Sequence, residues 1–333
     1  MPDNPTDPPS PRFRRFRLET TDDGSQTFFS DDFNQLFHSH FGARQEAEAK
    51  FVQVTRLGQR AAVRSHLTIL DVCYGLGYNT AAALTTIWQV NPQCQVYWYG
   101  LEADRDVPQA AIEANLLAPW PERVRDVLTE LAQAGGVAHD RFQARLLIGD
   151  ARHTITSLCG AAIDRPGIHN GIRNPLTPNP LTPNPLTPNP LTPNLPVQAD
   201  AIFLDPFAPP DCPQLWSVEF LTNVARCLAI DGYLATYSCA AAVRSALLAA
   251  GLQIGSTPPI GRNTHGTAAR WCAEDLTPLD RRACEHLNTR AAVPYRDPDG
   301  TDNAETLRTR RREEQAQSPL EATTHWKKRW QKC

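Results

Sequence analysis

The 333 residues suffice for one large α/β domain with appendages or for two small domains, and a hydrophobic content of 41% supplies a sizeable core. A formal net charge of −3 excludes a global attraction to nucleic acid or anionic membrane and confines any such contact to local patches. The nine cysteines show no C-x-x-C pair, which argues against a zinc site or disulfide framework and for a reducing cytoplasm; no apolar run reaches membrane-spanning length.

Residues 1–20 read as a disordered, Pro-rich and then basic lead, ending in the alternation of arginine and phenylalanine from Arg12 to Arg17. Thr21 to Thr27 is a turn, and Asn34 to Phe51 holds the start of a helix near Glu46. From Thr68 onward strands and helices alternate. Strands are expected at Thr68–Cys73, Gln95–Glu102, Arg145–Gly149, Ala201–Asp205 and Tyr233–Ser238, with helices at Tyr78–Gln89, Val107–Leu117, Ala151–Leu158, Pro213–Leu228 and Ala240–Ala250. Apolar strands in such a series build a parallel sheet covered on both faces.

Between the third and fourth strands, Asn174 onward repeats Asn-Pro-Leu-Thr-Pro four times. Proline at that density neither donates to a ladder nor continues a helix, so residues 165–196 read as a low-complexity insertion within a domain spanning 21–275. A final hairpin is expected in Gly255 to Trp271. Residues 276–333 form a polar, basic extension, with clusters at Arg308, Arg310, Arg311, Arg312 and at Lys327 to Arg329 between two tryptophans. These clusters, like the N-terminal arginines, suit either RNA phosphates or a solvated tail.

The chemistry gathers at the strand ends. The first strand runs into Gly75-Leu76-Gly77 and a helix, a turn that lets backbone approach a ligand closely; Thr80 replaces the third glycine of a dinucleotide fingerprint, which weakens an NAD reading. The second ends in Glu102, which accepts two ribose hydroxyls or caps the next helix. The third ends in Asp150, facing an adenine amino group or again a helix start. The fourth, Ala201 to Leu204, delivers Asp205 into a stiff loop, Pro206-Phe207-Ala208-Pro209-Pro210. Four strand ends thus bring Gly75 and Gly77, Glu102, Asp150 and Asp205 to one sheet edge, where open α/β sheets bind ligands. An acidic lining favours a cationic sulfonium over a pyrophosphate, which points to S-adenosylmethionine.

The strings Asp23-Gly24-Ser25-Gln26-Thr27, His38-Ser39 with Gly42-Ala43 and Glu46, Asp71 with Gly75-Leu76-Gly77, Gly149-Asp150-Ala151, and Phe203 to Trp216 carry a resemblance. Over about Thr21 to Trp271 the sequence resembles the methyltransferase domain of the MnmC family, tRNA 5-methylaminomethyl-2-thiouridine biosynthesis proteins. Pro206 departs from the family's usual glycine, and Asp71 and Tyr74 from its glutamate and phenylalanine. Gly261-Arg262-Asn263 lacks a basic continuation.

The resemblance implies a Rossmann-like class I S-adenosylmethionine-dependent methyltransferase fold, a mostly parallel central sheet with helices on both faces. It also implies methylation of 5-aminomethyl-uridine at the tRNA wobble position. Asp71, Gly75, Gly77, Glu102, Asp150, His38 and Glu46 would bind S-adenosylmethionine, without flavin or metal. Asp205, Pro206 and Phe207 would be catalytic, with Phe207 and Trp216 stacking on the base. The chain would correspond to a stand-alone form lacking the flavin oxidase domain. Another amine or base N-methyltransferase, a non-catalytic adenosyl- or tRNA-binding module, and an NAD oxidoreductase are the competing readings.

Overall fold

The structure, a computed structural model, describes residues 15–160, 196–259 and 265–331. Arg12 to Arg14, the Asn-Pro-Leu-Thr-Pro repeat and Gly261 to Asn263 lie outside those residues.

Two sheets are present. A small antiparallel one joins β1 (Phe16–Thr20), β2 (Gln26–Ser30) and β3 (Gln35–Leu36). The main sheet takes β4 (His66–Val72), β5 (Gln95–Glu102), β6 (Gly136–His139), β7 (Phe142–Ile148), β8 (Ala199–Leu204), β9 (Leu228–Thr236), β10 (Gln253–Pro259) and β11 (His265–Arg270), in the order β10-β11-β9-β8-β4-β5-β7-β6. Its middle five strands, β9-β8-β4-β5-β7, pair in parallel, with antiparallel strands at both flanks. Every residue of β8 is buried, as an apolar run without alternation requires when helices cover both faces.

One face packs the helices Leu57–Val63, Tyr78–Val90, Asp106–Glu113 and Glu122–Ala134; the other packs Val218–Arg226, Ala241–Ala249 and the short turns after Asp150. This is a Rossmann-like architecture, a mostly parallel central sheet with helices on both faces, as expected. The chain steps from β4 outward to β5 and β7, then returns to β8 on the opposite side of β4. The carboxyl ends of β4 and β8 therefore flank a topological switch point, where a crevice opens.

Two expected helices are corrected. Pro213–Leu228 is a 3₁₀ turn, Pro213–Trp216, followed by a separate helix, Val218–Arg226. Ser217 takes extended backbone between them and caps the second, accepting from Phe220 N at 3.3 Å. The helix near Glu46 begins as Ala43–Glu46 and continues as a π-helix, Ala47–Val52.

The C-terminal segment folds onto the domain. Helices Arg281–Leu287, Ala304–Gln317 and Thr323–Trp330 bury Leu307 and Trp326, and Tyr295 joins the core beneath β8 and β9. Its arginines are spoken for. Arg308 donates to the Pro210 carbonyl at 2.9 Å, Arg310 pairs with Asp302 at 2.7 Å, and Arg311 donates to the carbonyls of Val293 and Ala291. Arg312 pairs with Glu305 and Arg329 with Glu321. Guanidiniums used this way help hold the extension together; Arg308 and Arg312 stay at the surface, with 38% and 67% of their side chains exposed, on an ordered helix and not on a solvated tail.

Candidate active site

At the carboxyl edge of the sheet lies a cavity of ≈ 960 Å³, bounded on one side by the strand ends and on the other by the small N-terminal sheet. That volume accommodates a nucleoside cofactor together with part of a second substrate.

The first wall is the β4 turn. Gly75 has φ +58 and lines the cavity, where its bare backbone is the close approach the turn permits. Gly77 stands behind it at φ +84; a Cβ there would meet the Tyr74 hydroxyl at 2.7 Å, so this glycine serves the packing of the turn. Asp71 is fully buried below both and does not line the cavity; it accepts from the Thr80 hydroxyl at 2.7 Å. Burial pushes its carboxyl well above the usual carboxylate range.

Glu102, at the end of β5, faces the cavity with each oxygen steadied by a backbone N–H, from Gly75 and from Asp104, both at 2.9 Å. Burial raises its pKa against those hydrogen bonds. The Ala103 backbone N–H adds to them, and the carboxylate, bordering the cavity, is an acceptor of the kind ribose hydroxyls require. Asp150 also borders the cavity, but its oxygens are engaged: it caps the helix Ala151–Thr154 through Arg152 N at 2.9 Å and accepts from the Arg152 guanidinium at 2.6–3.1 Å. Arg152 in turn reaches the fully buried Asp297 of the C-terminal segment at 2.8 Å. Nearby Gln214, on the 3₁₀ turn packed against that helix, lines the cavity with a buried Oε1 that has no partner among the described residues.

The second wall is the β8 loop. Asp205 Oδ2 accepts from Asn79 Nδ2 at 2.8 Å, and burial raises the Asp205 carboxyl to about 7, helped by the nearby Glu46 charge and opposed by Asn79 and Lys50. The Pro206 carbonyl accepts from the Tyr237 hydroxyl at 2.9 Å, leaving one of its two lone pairs. Phe207 borders the cavity, stacked on Phe33 and edge-on to Phe37. Trp216 is corrected: it is 0% exposed, absent from the cavity wall, and donates Nε1–H to the Phe207 carbonyl at 2.9 Å. It supports the loop from within the core instead of stacking on a base.

The N-terminal residues close the cavity. Glu46 accepts from Ser39 N at 3.2 Å, the Ser39 hydroxyl, and Lys50 Nζ at 2.5 Å. Burial pushes the Glu46 carboxyl up, but Lys50 and Ser39 outweigh it and hold it below its ordinary range. Desolvation lowers His38 to about 4, so near neutrality it is an uncharged group, bonded to the Thr27 hydroxyl at 3.1 Å and edge-on to Tyr78. Arg15, Lys50, Phe33, Gln214, Tyr237 and Asn79 carry the site beyond the residues read from sequence. Arg15 lay in the Arg12–Arg17 alternation and Gln214 in the Phe203–Trp216 string, neither with a role at the site, and Asn79 stands at the start of the helix behind Gly77.

Residues 189–271 match a family described as S-adenosyl-L-methionine-dependent methyltransferase. The chain is 29% identical over 253 residues to the tRNA 5-methylaminomethyl-2-thiouridine biosynthesis bifunctional protein MnmC of Aromatoleum aromaticum, covering 73% of this chain and 33% of that protein. It is 27% identical over 293 residues to the same-named protein of Azoarcus sp., covering 88% and 41%. The chain thus spans about a third to two fifths of these curated relatives. The crystal structure of MNMC2 from Aquifex aeolicus superposes with a TM-score of 0.70 at 27% identity, over 95% of this chain and 88% of that one. The chain is thus similar to these MnmC proteins over most of its length. The profile match takes in β8, the Asp205 loop and the strands through β11, the wall opposite the glycine turn.

The residues present fit S-adenosylmethionine. Glu46, Glu102, Asp150 and Asp205 give the cavity carboxylates suited to a sulfonium, an ammonium and ribose hydroxyls, and Gln214 contributes an acceptor waiting for a donor. The set is wrong for a pyrophosphate. Among the described residues no helix is long and apolar enough to cross a membrane.

Proposed function

We propose that this chain binds S-adenosylmethionine in the cavity and methylates the 5-aminomethyl nitrogen of the wobble uridine of tRNA, giving 5-methylaminomethyl-uridine. The observation that carries this reading is Asp205. A carboxyl poised at about 7 and fixed by Asn79 at the cavity wall is what an amine nucleophile needs. The MnmC relatives and the superposition with MNMC2 support the substrate assignment.

When bound, S-adenosylmethionine supplies a methyl group on a sulfonium, which departs as a neutral thioether. The chain's own residues prepare the acceptor. A primary alkylamine resembles lysine and is mostly protonated near neutrality, so it must lose a proton before its lone pair is free. For an aspartate of ordinary pKa, that transfer from an ammonium near 10.4 is uphill by about 9 kcal/mol. For Asp205 at about 7 it is uphill by about 5 kcal/mol. Asp205 is therefore both base and positioner. The free lone pair of the Pro206 carbonyl gives the nitrogen a second acceptor, and two acceptors direct the nitrogen lone pair along the line of attack. In the transfer the N–C bond forms as the S–C bond breaks, and the remaining positive charge on nitrogen sits among carboxylates. Phe207 offers a face to the uridine, which must leave its stack to enter.

Nucleoside mass spectrometry of tRNA from cells lacking the chain tests the reading. Accumulated 5-aminomethyl-uridine, cleared by the purified protein and S-adenosylmethionine, is expected; an unchanged nucleoside profile refutes it.

A further inference from the structure

Phe33 lies in the turn between β2 and β3, at the cavity mouth, with 41% of its surface exposed. Apolar surface left open to water above a ligand cavity favours a partner that covers it. Its ring is nearly parallel to that of Phe207, with centroids 4.3 Å apart and planes at 21°. Phe37 braces Phe207 from the side at 5.2 Å. Phe207 itself is two residues from Asp205 on the stiff β8 loop.

The strands flanking Phe33 are anchored to both shores of the cavity by polar bonds. Arg15, just before β1, pairs with Asp32 beside Phe33 and with Asp104 after β5, the latter at 2.8 Å. Gln35 on β3 donates to Asp211 of the β8 loop at 2.5 Å. The turn is thus suspended over the mouth, with its aromatic ring on Phe207 and its polar ties to either side.

We propose that Phe33 and Phe207 form an aromatic clamp that receives a pyrimidine base between their rings. In the free protein the two rings lie against each other. Admitting a base widens their separation to about 7 Å, two contacts of ~3.5 Å, through movement of one short turn. Two phenyl rings carry no hydrogen-bonding group, so the clamp reads the flat face of the base and leaves its edges and its 5-substituent to be directed by others. The 5-substituent then points toward Asp205. This inference rests on the methyltransferase reading above and adds the receiving half of the base site, from an element outside the main sheet.

The test uses the full chain with Phe33→Leu and Phe33→Trp, an anticodon stem-loop RNA carrying 5-aminomethyl-uridine, and calorimetric binding of S-adenosylmethionine. Phe33→Leu should lower kcat/KM for the RNA by about 5- to 100-fold, the span of one lost base stack, with cofactor affinity within twofold of wild type. Phe33→Trp should turn over within about threefold of wild type, and its extra fluorescence over wild type should be quenched by the stem-loop. A Phe33→Leu variant as active as wild type, or an unquenched Phe33→Trp, overturns the clamp. So does a parallel fall in cofactor affinity, which would make Phe33 structural. If wild type fails to methylate the RNA while Phe33→Trp is quenched by it, the clamp stands and the assignment of the reaction falls.

Discussion

Replacing Asp205 with asparagine should make the protein inactive and, above neutrality, more stable. Burial raises this carboxyl from 3.8 to about 7, so the fold favours its protonated form. A carboxyl raised in the folded state contributes stability that is fully present below pH 3.8 and is lost as pH rises through about 7. The shift of roughly three units amounts to about 4 kcal/mol given up on ionisation. Asparagine has nearly the same shape and keeps an oxygen for Asn79, yet never ionises. Asp205→Asn should therefore gain about 2–4 kcal/mol at pH 8, roughly 4–8 °C in Tm, shrinking to no gain near pH 4. Urea unfolding followed by tryptophan fluorescence at a series of pH values reads this directly. Methyl transfer should fall by at least about 100-fold while S-adenosylmethionine still binds. The wild-type rate should climb with pH through about 7. A variant less stable than wild type at pH 8, or two parallel stability curves, would refute the argument that strain at Asp205 is retained for catalysis.

Three further expectations follow from the same geometry. Asn79→Ala removes the 2.8 Å bond to Asp205, so kcat should drop about 5- to 30-fold and its pH midpoint should move upward, with cofactor affinity nearly unchanged in titration. Glu102→Ala removes the ribose acceptor and frees the Gly75 and Asp104 N–H groups; calorimetry should show S-adenosylmethionine binding weakened by about 1–3 kcal/mol. Asp297→Ala leaves the largely buried Arg152 without its buried partner and should cost about 3 kcal/mol in chemical denaturation, whereas Arg308→Ala, at the surface, should cost less than 1.

Much of the main sheet was legible because its strands are apolar on both faces and its helices begin at recognisable turns. Gln95–Glu102 has its expected bounds, and the helix after Gly77 runs from Tyr78 to Val90. The joint arrival of Gly75, Glu102, Asp150 and Asp205 at one edge followed from that alternation alone. What escaped reading depends on tertiary contact. Asp150 looks the same in sequence whether it faces a ligand or Arg152, and only the fold supplies Asp297 to complete the triad. Trp216 sits in a helix-like pattern that Ser217 interrupts, and its buried place follows from the neighbouring Phe207 carbonyl. The arginines at 308–312 read as a free basic cluster because many of their partners are backbone carbonyls, which no residue type marks, beside the nearby carboxylates of Asp302 and Glu305. The helix Glu122–Ala134 was readable and went unread: Val124, Val127, Leu128 and Leu131 keep helical spacing on one buried stripe.

The salt link from Asp150 through Arg152 to Asp297 separates two kinds of boundary. The family-profile match stops at residue 271, but a rim of the cavity is tied down 26 residues later. A ribosome releasing this chain would expose a recognisable methyltransferase sheet with one shore of its cavity still loose. The site would become whole only when Tyr295 and Asp297 emerge and dock, so a fragment cut at the profile's edge should keep the look of the fold and lose its grip on the nucleoside.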